Sequence, residues 1–398
     1  MTLAGTRTAR LGEILEPFEE LLGDRPEPPI LTLTERRGFV AQSERYNKRL
    51  ASEDTSRYKI VRRYDVAFNP YLLWAGAIAQ NVDWDEAIIS PVYPTFRPRQ
   101  GVDPRYVAHL LGSSFMRAEF DAVSFGSVPR RRRASVADFL AMTAPLPLLP
   151  EQRRIATLLD SADAIRRKRQ QAINLVADLI QSLYLALVGP GSREHNRWPM
   201  VRVEQLADPK PGSIRTGPFG SALRHSEFVE EGIAVLGIDN AVQNRFAWFE
   251  RRFIRPEKYA AMTRYTVRPG DVIITIMGTT GRSAVVPDDV PVTISTKHLA
   301  TITVDRTRVH PEFLSNAIHR DPQVVGQLQA RNRGAIMSGL NLGLIRSLEV
   351  RLPPVGAQER FAAAVNRVRA LEARLSSSCD QADDLFRSLL QRAFSGEA

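Results

Sequence analysis

The feature that most constrains this chain is that it states the same plan twice. Leu146-Pro147 opens LPLLPEQRRIATLLDSADAIRRK, and Leu352-Pro353 opens LPPVGAQERFAAAVNRVRALEAR, 206 residues later (352 − 146). Without a gap, that shift matches Gln152 to Gln358, Arg154 to Arg360, Ala156 to Ala362, Leu179 to Leu385 and Leu183 to Leu389. Upstream, give or take a residue, RYKIVRRYDV from Arg57 pairs with RYTVRPGDV from Arg264. Asp65 and Asp271 each precede their Leu-Pro pair by 81 residues (146 − 65 and 352 − 271). VDPRYVAHLL from Val102 echoes VHPEFLSNAI from Val309, and Arg10–Ile14 resembles Arg202–Leu206. An ordered set of echoes at one spacing marks a tandem duplication. A chain of 398 residues also exceeds one ordinary core and suits two or three domains.

Each Leu-Pro signal leads into a long helical stretch, the proline keeping the residue before it extended. From Ile155 the 3-4 spaced positions are Ile155, Leu158, Ala162, Ile165, Arg169, Ala172, Val176, Leu179, Leu183 and Ala186, nine of ten apolar. The second copy reads Phe361, Ala364, Val368, Leu371, Leu375, Ser378, Ala382, Leu385, Leu389 and Arg392, eight of ten apolar. This is a heptad seam, two positions in seven, and so narrow a stripe calls for one helical partner. The other copy is the obvious partner, in either direction of packing; the alternative is that each helix lies on its own domain. Candidate pairing residues are Ile155, Leu158, Ile165, Val176, Leu179, Leu183, Phe361, Val368, Leu371, Leu375, Leu385 and Leu389. Glycines end both stretches, at Gly189-Pro190-Gly191 and at Gly396.

Between the helices lie short β-branched runs such as Val272–Ile276 and Leu299–Val304, with short helical segments such as Pro311–His319. The fold class is α+β. The boundaries fall at 1–145 and 198–351 for the globular units, 146–189 and 352–396 for the helices, and 190–197 for a linker, signalled by GPGSREHN from Gly189 to Asn196.

Hydrophobic residues at 43% and charged residues at 25% suit a folded protein and exclude wholesale disorder. No apolar run approaches a membrane span, the N-terminus has no signal-peptide core, and Cys379 is the single cysteine, so a cytoplasmic protein without membrane contact is expected. Lys+Arg 54 against Asp+Glu 44 gives +10, a balance that favours a polyanion such as nucleic acid. With only six lysines, the arginine skew is also what a GC-rich genome produces.

Motifs for catalysis are weak. Phe68-Asn69-Pro70-Tyr71 lacks the second proline of the loop that holds a flipped base in amino-methyltransferases, and no Gly-x-Gly loop follows a strand. The chain has no Gly-Lys dipeptide, which excludes a Walker A site, and Pro287-Asp288 with Lys297 lacks the second acidic residue of a nuclease motif. Six histidines form no short-spaced metal cluster. A binding protein is expected, with no cofactor or metal of its own. The glycine- and hydroxyl-rich loops Ile214–Ser221 and Gly278–Ser283 suit phosphate contact, through Arg215, Thr216, Ser221, Thr279, Thr280 and Arg282. Arg130, Arg131, Arg132 and Arg133 stand just upstream of the first helix, as Arg331 and Arg333 do of the second.

In this order, and duplicated, these residues resemble the specificity subunit of type I DNA restriction-modification systems. In the first unit the likeness rests on Ser43-Glu44-Arg45-Tyr46, Arg57–Val61, Gly76–Ala79 and Ser90–Tyr93. In the second it rests on Thr216–Ser221, Gly270-Asp271-Val272 and Gly278–Gly281, and the Leu-Pro-x-x-x-x-Gln openings of both helices complete it. The second opening departs from the pattern, with Ala357 in place of the glutamate at Glu151. The resemblance implies two similar target-recognition domains in tandem, related by a pseudo-two-fold, with the long helices antiparallel as a coiled-coil ruler between them. It adds Arg45, Lys48, Arg57 and Lys297 to the candidate DNA contacts. It further implies a non-catalytic subunit reading a split site in double-stranded DNA and joined to two modification subunits and to restriction subunits. S-adenosylmethionine, ATP and Mg would then sit on those partners. A coiled-coil adaptor that binds protein alone is the rival reading.

Overall fold

The computed structural model describes residues 6–35, 37–45, 51–124, 132–248, 250–332 and 339–394. It is a mixed helix and sheet structure with two long helices, Leu149–Leu187 and Val355–Phe394. The chain divides into two compact units, one made of Met1–Gln171 with Ser377–Ala398 and the other of Ala172–Ser376. Each unit therefore owns half of each long helix. The sequence division set the helices apart as segments of their own, but their buried faces belong to the cores of the units.

In the first unit, Leu15–Phe18, Thr95–Pro98, Val66–Phe68 and Ile78–Gln80 form an antiparallel sheet in that order. In the second, Ile214–Thr216, Leu299–Ile302, Val272–Thr275 and Ser283–Val285 form an antiparallel sheet in the corresponding order. Arg7–Arg10 pairs with Thr143–Leu146 and Met200–Arg202 with Glu349–Arg351, each tying the start of a unit to the strand that feeds a long helix. The central strands are apolar on both faces and buried throughout: Val66–Phe68 in one unit, Val272–Thr275 in the other. Phe68 stacks on Phe96 at 5.7 Å and tilts against Phe139 at 4.7 Å, filling the first core with aromatic area.

The echoes in sequence are structural equivalents. Asp65 and Asp271 are both buried, and each accepts a hydrogen bond from the backbone N–H three residues upstream, at 2.8 Å from Arg62 and 2.9 Å from Arg268. Each meets an arginine, but from different strands: Arg97 at 2.9 Å and Arg215 at 2.7 Å. Tyr64, just before Asp65, has φ +74°, and its counterpart Gly270 has φ +78°. Glycine adopts this conformation freely; tyrosine holds it at a cost. Gln152 and Gln358 are buried too. Gln152 accepts from the Asp103 N–H at 2.9 Å and donates to the Pro147 carbonyl at 2.8 Å. Gln358 accepts from the His310 N–H and donates to the Pro353 carbonyl, both at 2.8 Å. The glutamine of the Leu-Pro-x-x-x-x-Gln motif thus staples the first turn of a long helix to the start of a shorter one, Pro104–Leu111 or Pro311–Arg320.

Within each unit the two helix halves run antiparallel. In the first, Arg166 lies 3.8 Å from Asp383 and Gln170 3.8 Å from Cys379, while Ile155 and Leu159 share a core with Leu389, Ala393 and Phe394. Residue numbers rise on one helix as they fall on the other. In the second unit Val176, Ile180 and Tyr184 share a core with Phe361, Val365 and Val368, and Tyr184 meets Phe361 edge-on at 5.8 Å.

The predicted seam holds at alternate positions. Ile155, Val176, Phe361 and Val368 are buried, and Leu183, Leu375 and Leu389 are partly buried against the cores. Leu158, Ile165, Leu179, Leu371 and Leu385 are instead 41 to 56% exposed, and the expectation for them is corrected. The buried spacing runs four then three, through Leu159, Ile180, Val365 and Cys379, one residue beyond the expected second position. That alternation passes through Arg166 and Glu372, polar residues that a count of apolar positions skips. Both are paired, Arg166 with Asp163 at 2.6 Å and Glu372 with Arg245 at 3.5 Å.

Candidate nucleic-acid interface

The connection from the third strand of each sheet, in the order given, to the edge strand beside it forms a tip in each unit, and candidate contacts gather there. In the second unit the tip runs from Ile276 to Arg282. Thr275 holds it from below, its hydroxyl donating to the Thr279 carbonyl and accepting the Arg282 N–H at 3.0 Å. The Gly281 N–H returns to the Thr275 carbonyl at 2.8 Å, with Gly278 at φ +72° and Gly281 at φ +82°. The left-handed glycines let so tight a loop close. Thr279 and Arg282 stand exposed on it, and Thr280 is half-buried.

The matching tip of the first unit, Asn69–Ala77, is built differently. Tyr71 is 44% exposed and Trp74 half-buried. The Arg132 guanidinium lies over the Trp74 ring at 5.4 Å, and that of Arg133 over Tyr71 at 5.6 Å. Arg132 also pairs with Asp121 at 2.8 Å and donates to the carbonyls of Ser124 and Asp121. A cleft of about 440 Å³ beside the tip is lined by Lys59, Pro70, Val92, Arg133 and Ser135. Lys59 sits at its wall, paired with Glu19 at 3.1 Å. Arginine over aromatic rings is chemistry that accepts a base face and a phosphate together, beside a cleft of mixed charge that Asp138 also lines. Sequence reasoning named Arg132 and Arg133 but missed Tyr71 and Trp74. The sequence signals Tyr71 alone, in Asn69-Pro70-Tyr71, where it reads as a weak catalytic motif.

Other expected contacts fare unevenly. Arg45, at the end of the short helix Gln42–Arg45, and Arg57, in a turn, are exposed. Lys297 is half-buried. Arg215 is corrected: its guanidinium, 13% exposed, donates to Asp271 at 2.7 Å, the Thr266 carbonyl at 2.6 Å and the Thr303 hydroxyl at 3.0 Å. It neutralises a buried carboxylate inside the fold. Thr216 is likewise buried, at 7% exposure, and is not available to a ligand. Lys48, Arg130, Arg131, Arg333 and the side chains of Ser221 and Arg331 lie outside the described residues. Among the described residues no cluster of His, Cys, Asp or Glu is arranged for a metal, and no helix is long and apolar enough to cross a membrane.

No family model matches the sequence. The specificity subunit of the type I restriction enzyme EcoBI from Escherichia coli is 24% identical over 276 residues, spanning 64% of this chain and 58% of that protein. The StySPI specificity subunit of Salmonella potsdam is 22% identical over 324 residues, spanning 76% and 67%. The chain thus matches about three fifths to two thirds of the length of these relatives. In fold the likeness runs end to end. The S subunit of a type I restriction-modification system from M. genitalium has a TM-score of 0.58 at 12% identity, covering 99% of this chain and 97% of that one. A chain from a structure describing assembly and conformational transition of the type I R-M system has a TM-score of 0.60 at 20% identity, covering 99% and 98%.

Proposed function

We propose, from this kinship with type I restriction enzyme specificity subunits, that the chain is the DNA-specificity subunit of a type I restriction-modification enzyme. Its two units act as target-recognition domains, related by a pseudo-two-fold, that read the two parts of a bipartite site in duplex DNA. The observation that carries this reading is a pair of sheets of one strand order bearing unlike tips. Tyr71 and Trp74 with Arg132 and Arg133 crown one, and Thr279 and Arg282 crown the other. Shared topology supports equivalent roles for the two tips, and on this reading their different side chains read different bases. The DNA site is therefore asymmetric.

The long helices serve as an antiparallel coiled-coil spacer. A helix of 39 residues at ~1.5 Å per residue is ~58 Å long, or about 17 base pairs at ~3.4 Å each. Arginines supply phosphate contacts, so affinity falls steeply with salt. Bond-making belongs to other chains. Two modification subunits carry S-adenosylmethionine and methylate adenine at N6, and restriction subunits carry ATP and Mg for cleavage. The complex works in the cytoplasm.

Methylome sequencing of the host with and without this gene tests the reading. One split adenine motif is expected to vanish with the gene. A methylome that stays the same in a strain with an active modification subunit contradicts it. Salt-insensitive failure of the complex to shift any duplex in a gel would favour a protein-binding adaptor.

A further inference from the structure

We propose that His319 is a positioning residue that aims the Arg282 guanidinium at a base edge of the DNA. This inference rests on the function proposed above. It concerns the second unit alone, because the positions 206 residues earlier are Ser113 and Gly76, with neither a histidine nor an arginine.

The backbone under Arg282 is fixed on several sides. Its carbonyl accepts the Thr275 N–H at 2.8 Å, and its own N–H donates to the Thr275 hydroxyl at 3.0 Å. On one flank of the tip, the Ile276 N–H reaches the His298 carbonyl at 2.9 Å, and the Ile276 carbonyl accepts the Leu340 N–H at 2.8 Å. Just after Arg282, the Ser283 hydroxyl bonds that of Ser315 at 3.0 Å, and the Ser283 carbonyl accepts from the Asn244 amide at 2.8 Å. Ser315 lies one turn before His319 on the helix Pro311–Arg320. Tip and helix are thus joined as one body.

The side chain is less constrained. Arg282 is exposed, and its Nη1 lies 3.4 Å from Nε2 of His319. Among the described residues no carboxylate lies within ion-pair distance of Arg282. A guanidinium carries five donors in a planar fork, and a contact at Nη1 alone leaves the edge formed by Nε and Nη2 open. Burial, with Arg320 and Arg282 adding to it, holds the His319 pKa down to about 4, so the ring is neutral at physiological pH. With the proton on Nδ1, Nε2 is an acceptor for the guanidinium. Among the described residues that buried Nδ1 has no hydrogen-bond partner. An unsatisfied buried N–H is a cost a purely structural side chain rarely carries. A carboxylate in place of His319 would fix the arginine as firmly but neutralise it. A neutral acceptor orients the charge and leaves it whole. An oriented fork matters little for a phosphate, which accepts from many directions. It matters greatly for a guanine edge, where O6 and N7 demand one plane.

The test uses the chain with its modification subunit in the host, reading each variant by methylome sequencing. Arg282→Ala is expected to relax one position in one half of the motif, with discrimination there falling about 10- to 100-fold, the loss of a bidentate contact, while the other half stays intact. Arg282→Lys keeps the charge, loses the fork and is expected to relax the same position. His319→Phe fills the site but cannot accept, and is expected to relax that position about threefold to tenfold. His319→Gln offers an amide oxygen at a similar reach and is expected to restore the wild-type motif. If His319→Phe proves too unstable, His319→Leu, smaller and equally unable to accept, takes its place with the same expected relaxation. A wild-type motif in a folded His319→Phe or in Arg282→Lys, or a uniform loss of methylation in Arg282→Ala with no change of motif, overturns the inference while leaving the proposed function standing. A wild-type chain that directs no split motif removes both.

Discussion

The glutamine staples give the sharpest test of how this duplication is held together. Gln152→Ala removes a buried side chain that serves the Asp103 N–H at 2.9 Å and the Pro147 carbonyl at 2.8 Å. Both partners then lose the hydrogen bond that the side chain supplies. At roughly 1 to 3 kcal/mol for each orphaned group, the first unit loses about 2 to 6 kcal/mol. Gln358→Ala strips the His310 N–H and the Pro353 carbonyl, and also the Arg308 carbonyl at 3.2 Å, so the second unit loses a comparable amount. The two sites share no partner and belong to different units, so the double variant is expected to be additive within about 0.5 kcal/mol. Amide hydrogen exchange with urea unfolding reads each unit separately. The Asp103 amide is expected to exchange at least about tenfold faster in Gln152→Ala, with the His310 amide unaffected; tenfold corresponds to about 1.4 kcal/mol. The converse is expected for Gln358→Ala. Wild-type protection at Asp103 in Gln152→Ala, with the same unfolding midpoint, would refute the account of the motif.

Two further outcomes follow from buried and paired charges. Arg215→Ala leaves Asp271, 1% exposed, without its counter-charge, and is expected to cost about 3 to 5 kcal/mol of stability. A variant that folds as well as wild type while losing DNA affinity would return Arg215 to the DNA-contact set. Glu20 bonds Arg62 and Arg25, both at 2.8 Å, and these hold its pKa at about 2. Its folded pKa lies below the unfolded value, so its contribution is complete above about pH 4.5 and fades as pH falls toward 2. Glu20→Gln is expected to be less stable than wild type at pH 7, with the gap closing across that window in acid titrations of the unfolding midpoint; a gap that widened on acidification would contradict the pairing.

Much of the fold is legible in the sequence because duplication writes it twice. Asp65 and Asp271, like Gln152 and Gln358, stand out as echoes, and each pair has one physical job: a buried turn and a helix staple. The heptad period is legible too, but its phase is not. Leu158 and Ile165 look like seam residues because apolar residues are counted and paired charges are not. Arg166 holds its seam position through Asp163, Asp383 and the ring of Phe386, partners visible in three dimensions. The loop signature misled at Arg215 for a related reason. Glycine, hydroxyl and arginine together describe a phosphate loop and an internal ion pair equally well, and Asp271 stands far along the chain, just before the strand Val272–Thr275. The aromatic tip was hidden because Tyr71 and Trp74 acquire meaning only when Arg132 and Arg133, some sixty residues on, fold over them.

The most direct measurement of the central claim, two readers set apart by paired helices, is the gap between half-sites after lengthening the pair. Seven residues added at matching points of both long helices preserve the heptad phase and add about 10.5 Å at ~1.5 Å per residue, or about 3 base pairs. The methylome of a host carrying that variant is predicted to keep both half-site sequences and to widen the gap between them by about 3 base pairs. An unchanged gap with the same half-sites would contradict the claim.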